Sequence, residues 1–98
     1  MPYEEELKNA RSRAIRYLAY RNRSRNEIIR YLKKKKFSEN AVDETLIFLK
    51  NNEYINDERF AMQFGRFRIV NKKIGRLRLG LELEDKGLER QIIEKTLN

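Results

Sequence analysis

The side chains of this sequence that are equipped for chemistry are cations, and their chemistry is recognition of anions rather than bond making. Among 98 residues, 23 are Lys or Arg and 15 are Asp or Glu, a formal net charge of +8, and neither Cys nor His occurs. The missing thiolates and imidazoles remove disulfides, the commonest zinc ligands and the usual nucleophile–base pairs together. Two clusters hold much of the positive charge. Arg21, Arg23, Arg25, Lys33, Lys34, Lys35 and Lys36 make the first; Arg66, Arg68, Lys72, Lys73, Arg76 and Arg78 make the second. Groups of this kind meet phosphates or an acidic protein surface, and each displaced DNA counterion adds roughly −0.9 to the slope of log K against log salt.

The distribution of charge says more than its total. Residues 1–36 carry 12 cations against 4 acids and residues 61–78 carry 6 against none, while residues 37–60 carry 6 acids against 2 cations. Lys33 to Lys36 fall where a helix would end, so compensation of its dipole explains them as well as contact does. Arg76 and Arg78 fall where a helix would begin, and there cations oppose the dipole, so a contact role is the better account. Arg25 and Arg76 hold equivalent places in two similar units. Glu39, Asp43, Glu44, Glu53, Asp57 and Glu58 read as caps and a solvated face, because paired carboxylates act as acid and base only in a desolvated cleft. No catalytic, cofactor-binding or metal-binding residue is expected; helical spacing places most aromatics in the core, and only Tyr20 and Tyr31 adjoin basic residues as a stacking surface for bases would require.

The elements that carry these cations are helices. Leu7, Ala10, Ala14 and Leu18 recur at helical spacing from Tyr3 to about Tyr20, with Pro2 at the entry and Glu4, Glu5 and Glu6 at the positive end of the dipole. Ser24 and Glu27 form a capping box that starts a second helix, with Ile28, Tyr31 and Leu32 turned inward. Phe37 ends it, and Ser38 caps a third helix from about Glu39 to Lys50. Asn56 or Asp57 caps a fourth, running to about Val70, in which Phe60, Phe64 and Phe67 share one face and are expected to be buried. Leu77, Leu79, Leu81 and Leu83 alternate with polar residues or Gly as a strand would. A shift of 51 positions, however, lays GRLRLGLELEDKGL from Gly75 onto SRNEIIRYLKKKKF from Ser24, which predicts a fifth helix despite Gly80. Gly87 terminates that helix, and a sixth runs from about Leu88 to Leu97.

These spacings predict an all-α, elongated chain of two tandem three-helix repeats with right-angled, bundle-like packing, divided as 1–53 and 54–98. The acidic start and the short apolar run Leu46 to Leu49 predict a soluble, cytoplasmic protein with no membrane contact. Ile47, Phe48 and Leu49 have no counterparts after Leu97, so the second copy is shorter than the first, which suggests a continuation.

RSRNEIIRYL from Arg23, Lys36–Phe37, YINDERFA from Tyr54 and LELEDKGL from Leu81 together resemble the RecX family of recombination regulators over nearly the whole chain. The family usually has Gly where Lys36 and Glu53 stand, and usually carries a third helical unit. The resemblance implies a non-enzymatic monomer acting in DNA repair, recombination and the SOS response. Its implied partners are RecA and the RecA–single-stranded DNA filament, with weak direct nucleic-acid binding. It also implies inhibition of filament extension, ATPase and strand exchange, by an elongated, curved molecule lying in the filament groove. The alternative is a small basic helix-turn-helix DNA binder with helix two or five in the major groove. Both helices, however, carry apolar residues on too many sides to spare a reading face.

Overall fold

Each helix after the first begins where a polar side chain or a Gly interrupts an apolar period. A computed structural model describes residues 2–98, and these hold six α-helices and no strand. They are α1 (Tyr3–Tyr20), α2 (Arg25–Lys34), α3 (Glu39–Asn51), α4 (Asp57–Lys72), α5 (Arg76–Asp85) and α6 (Arg90–Leu97). Ser24 Oγ accepts the Glu27 N–H while Glu27 accepts the Ser24 N–H, so the capping box is complete. Ser38 caps α3 through the Ala41 N–H, and Asn56 rather than Asp57 caps α4 through the Arg59 N–H. Residues 77–83 are helical: successive alternate residues lie about 200° apart on a helix, so Leu79 and Leu83 are buried while Leu77 and Leu81 face outward.

Three helices end in the same way. Phe37 N–H bonds Leu32 C=O and Lys36 N–H bonds Lys33 C=O, and the pairs Tyr54–Leu49 with Glu53–Lys50 and Leu88–Leu83 with Gly87–Glu84 repeat this closure. The closure needs a left-handed residue, supplied by Lys36 (φ 69°), Glu53 (φ 58°) and Gly87 (φ 81°). Only at Gly87 is that conformation free of side-chain strain.

Two separate cores result. Ala10, Ala14, Ile28, Leu32, Val42, Leu46, Leu49 and Ile55 fill the first, and Phe60, Ala61, Leu79, Leu83 and Leu88 the second. Ile55 lies beyond the third helix, yet it closes the first core. The shift of 51 places Ala10 on Ala61 and Ala14 on Gly65, all buried, so α1 and α4 keep small residues where neighbouring helices approach. Gly80 serves the same end in α5, since a Cβ there would sit 3.3 Å from Leu97 Cδ1.

The triplets α1–α3 and α4–α6 join end to end into a body of 48 × 23 × 23 Å. Its radius of gyration, 14.8 Å, exceeds the ~13 Å of a compact chain of this length. Polar groups make the joint. Ser24 Oγ donates to Lys86 C=O at 3.1 Å, Asp57 Oδ1 accepts the Arg25 N–H at 2.8 Å, and Asn22 donates to Gln63. Gly87 packs so closely on Asn26 that a Cβ there would lie 2.6 Å from Asn26 Cγ.

Candidate partner interface

The first cationic cluster divides between the two ends of α2, roughly 15 Å apart for a ten-residue helix. Lys33 and Lys34 occupy its last turn, Lys35 its C-cap and Lys36 the left-handed turn, all exposed. At the other end the three arginines have different fates. The Arg25 side chain is exposed, whereas Arg23 is 13% exposed, with its guanidinium 3.8 Å above the Tyr17 ring. Arg21 donates to Glu27 at 2.7 Å and keeps a half-exposed side chain.

Glu27 is the charge centre of this end, with Lys86 Nζ 3.9 Å away in addition to Arg21. Burial pushes the Glu27 carboxyl up. The Ser24 N–H, the Arg21 hydrogen bond and the charges of Lys86 and Arg21 outweigh it and hold the group below the usual carboxylate range. Asp57 responds the other way: burial dominates and leaves its carboxyl raised despite the Arg25 N–H.

The second cluster runs from the middle of α4, through Lys72 in its last turn and Lys73 in a left-handed C-cap, into the first turn of α5. Arg66, Lys72, Lys73 and Arg76 are exposed. Arg68 and Arg78 are not free cations. Arg68 forks onto Glu82 with Nε and Nη2 both 2.6 Å from the carboxylate, and Arg78 Nε reaches the same group at 3.2 Å. The hydrogen bond to Arg68 holds the Glu82 carboxyl down in spite of desolvation. No acid is near Arg68 in sequence, and its partner comes from 14 positions away on α5, whereas Arg78 meets the same carboxylate four positions on within α5.

Tertiary structure brings part of the two clusters together. Arg21, Arg68 and Arg78, with Lys86, border an open groove of about 1010 Å³ between α4 and α5. Phe60, Phe64, Phe67, Leu77 and Leu81 supply its apolar lining. Here one expectation is corrected: Phe60 is buried and Phe64 partly so, but Phe67 is 55% exposed. Phe67 lies one and two turns beyond its companions, toward the end of α4, where α5 leaves the face uncovered. Lys86, Glu82, Leu77 and Leu81 were absent from the candidates read from sequence. The outward half of the Leu alternation signals Leu77 and Leu81, and the i,i+4 spacing from Arg78 signals Glu82. Lys33 to Lys36 and Lys72 to Arg76 do not reach this groove.

Tyr17 and Tyr31 stack with their ring centroids 4.0 Å apart. Tyr31 therefore contributes a ring to the contact between α1 and α2, whereas Tyr20 is 83% exposed.

Known proteins share this arrangement. Residues 10–49 match the family model for the RecX first three-helix domain, and residues 56–97 match the model for the RecX second three-helix domain. A regulatory protein RecX of Chlorobium phaeobacteroides is 42% identical over 91 residues, covering 93% of this chain and 60% of that protein. Its counterpart in Geobacillus kaustophilus is 35% identical over 95 residues, covering 97% of this chain and 35% of that protein. The crystal structure of RecX from Lactobacillus salivarius superposes with a TM-score of 0.91 at 26% identity, covering 96% of this chain and 61% of that one. The chain thus spans between about one third and three fifths of the length of these relatives.

Proposed function

The chain belongs to the RecX family of regulatory proteins, and from that premise we propose that it is a non-enzymatic regulator of recombination and DNA repair. It binds RecA as a monomer in the cytoplasm, most tightly as the RecA–single-stranded DNA filament. It limits filament extension and with it ATP hydrolysis and strand exchange. The observation that carries this reading is the match of both triplets, in order, to the two RecX domain models. The 48 Å body suits a wedge that touches successive subunits of a polymer. The exposed Arg25, Arg66, Lys72, Lys73 and Arg76 supply attraction to phosphates or acidic surface.

The test is RecA ATP hydrolysis on single-stranded DNA with increasing amounts of the protein, beside direct binding to naked DNA at two salt concentrations. Dose-dependent inhibition is expected, with weak, sequence-independent DNA binding that fades as salt rises. Arg66→Glu combined with Arg76→Glu is expected to weaken inhibition several-fold while helicity is retained. Unchanged hydrolysis alongside tight, sequence-specific duplex binding would instead favour the helix-turn-helix alternative.

A further inference from the structure

We propose that the groove between α4 and α5 is a docking site for an acidic amphipathic helix presented by a protein partner. This rests on the reading above that the partner is a protein, and it names the surface that holds it.

The apolar wall of this groove is exposed without structural need. Leu77, Leu81 and Phe67 are 81%, 60% and 55% exposed, which leaves a continuous apolar strip in water along two helices. The shift of 51 shows that the fold does not require it. Phe64, Phe67, Leu77 and Leu81 take the places of Arg13, Arg16, Asn26 and Arg30, which are polar in the first triplet. The two triplets are in register at these helices, because Arg68 and Glu82, the ion pair that links α4 to α5, fall on the stacked Tyr17 and Tyr31. Apolar residues that one copy keeps and the other omits, on the same exposed face, serve a contact beyond the triplet itself.

Shape and charge select the occupant. The groove's volume of about 1010 Å³ stands at the upper end of the roughly 300–1000 Å³ typical of small-ligand sites, and its walls are two helices. A third helix laid between them, with large apolar residues at i, i+3 or i+4 and i+7, would cover Phe67, Leu77 and Leu81. Four cations, Arg21, Arg68, Arg78 and Lys86, border it against two carboxylates, Glu82 and Asp85. Glu82 serves Arg68 and Arg78 while Glu27 takes Arg21 and Lys86, so with Asp85 four cations stand against three carboxylates and the rim keeps one excess positive charge for acids on the occupant. A second copy of this chain fits poorly, since each copy carries +8 and would set the same cations against one another. Single-stranded nucleic acid fits poorly as well: Phe60 and Phe64 stack on each other at 5.7 Å, Leu77 and Leu81 offer bases no π face, and the exposed Phe67 is a single ring where successive bases need several.

The absence of Cys allows a direct test on the full chain. Leu81→Cys, labelled with an environment-sensitive fluorophore, reports on the groove, and Ile47→Cys, at a 60% exposed position on α3, serves as reference. Titration with RecA assembled on single-stranded DNA is expected to shift the Leu81 emission to the blue, saturably, and to leave the Ile47 label unchanged. Arg78→Glu in the labelled protein is expected to raise the concentration needed at least tenfold. Leu77→Ser with Leu81→Ser, both at exposed positions, is expected to weaken inhibition of ATP hydrolysis by a similar factor with helicity preserved. A shift produced by single-stranded DNA alone, or by raising the labelled protein's own concentration, overturns the proposal in favour of nucleic acid or a second copy. If unlabelled protein inhibits hydrolysis while the Leu81 label stays silent, the groove is overturned and the functional reading stands. If unlabelled protein does not inhibit at all, the functional reading falls and takes the groove's occupant with it.

Discussion

The two triplets place the same three helices in the same order, yet they distribute apolar and polar side chains differently. In the first, α1 meets α2 through stacked tyrosines with a guanidinium on top; in the second, the matching positions hold an arginine–carboxylate pair. The first core contains eight buried apolar residues and the second five. Serines with cap bonds start α2 and α3, whereas Gly75 and Glu89 start α5 and α6 without any side-chain cap bond. What both triplets keep is the pair of small residues in the first helix, Ala10 and Ala14 against Ala61 and Gly65, and the left-handed turn at Lys36 and Gly87. The first triplet is therefore the better-built scaffold. The second has thinner internal support and leaves apolar surface uncovered.

The largest effect that can break this comparison is a cavity in the smaller core. Leu83→Ala, at a fully buried position, is expected to cost about 3 kcal/mol. Amide exchange should show α4–α6 losing protection while α1–α3 keep theirs. Equal loss across all six helices would make the triplets one cooperative unit and erase the distinction.

Next come the matched turns, where opposite signs are expected. Gly87→Ala should destabilise by about 2 kcal/mol, because the new Cβ meets both a left-handed backbone and Asn26. Lys36→Gly, at the position 51 residues earlier, should stabilise by about 1 kcal/mol by relieving a left-handed Lys. Urea unfolding of the two variants checks both signs, and a loss in each would show that the turns are not equivalent.

The smallest effect concerns pH. The folded Glu27 carboxyl is depressed, so its stabilisation is present above the unfolded value near 4.5 and is lost as pH falls through the lower folded value. Glu82 has the same sign. Glu27→Gln should lower the melting temperature slightly at neutral pH, by no more than about 1 kcal/mol in stability, and flatten its fall below pH ~4.5. An acid limb identical to that of the unaltered protein would remove Glu27 from the joint's energetics.

Much of the fold was legible because its determinants are local. Ser24 with Glu27, Ser38 and Asn56 announce helix starts within four residues, and the copy of SRNEIIRYL in the later chain settles the ambiguous Leu alternation as helix. Phe67 defeats that logic, since periodicity assigns a helix face but not how far a neighbour covers it. Arg68 appears unneutralised in sequence for a related reason, since Glu82 reaches it only once α4 and α5 pack, whereas the Arg78–Glu82 pair is a local i,i+4 spacing. Arg21 likewise joins the second cluster only through the joint, and no local spacing encodes that meeting.

The joint itself has a mechanical consequence. Its bonds are polar, two of them between helix ends and one from Asn22 to Gln63 inside α4, and water can stand in for each at a net cost on the order of 1 kcal/mol. Breaking them would change the mutual angle of the two halves without opening either core. A body jointed in this way would follow a small variation in the pitch of a helical polymer at the cost of those few bonds, with neither half unfolded.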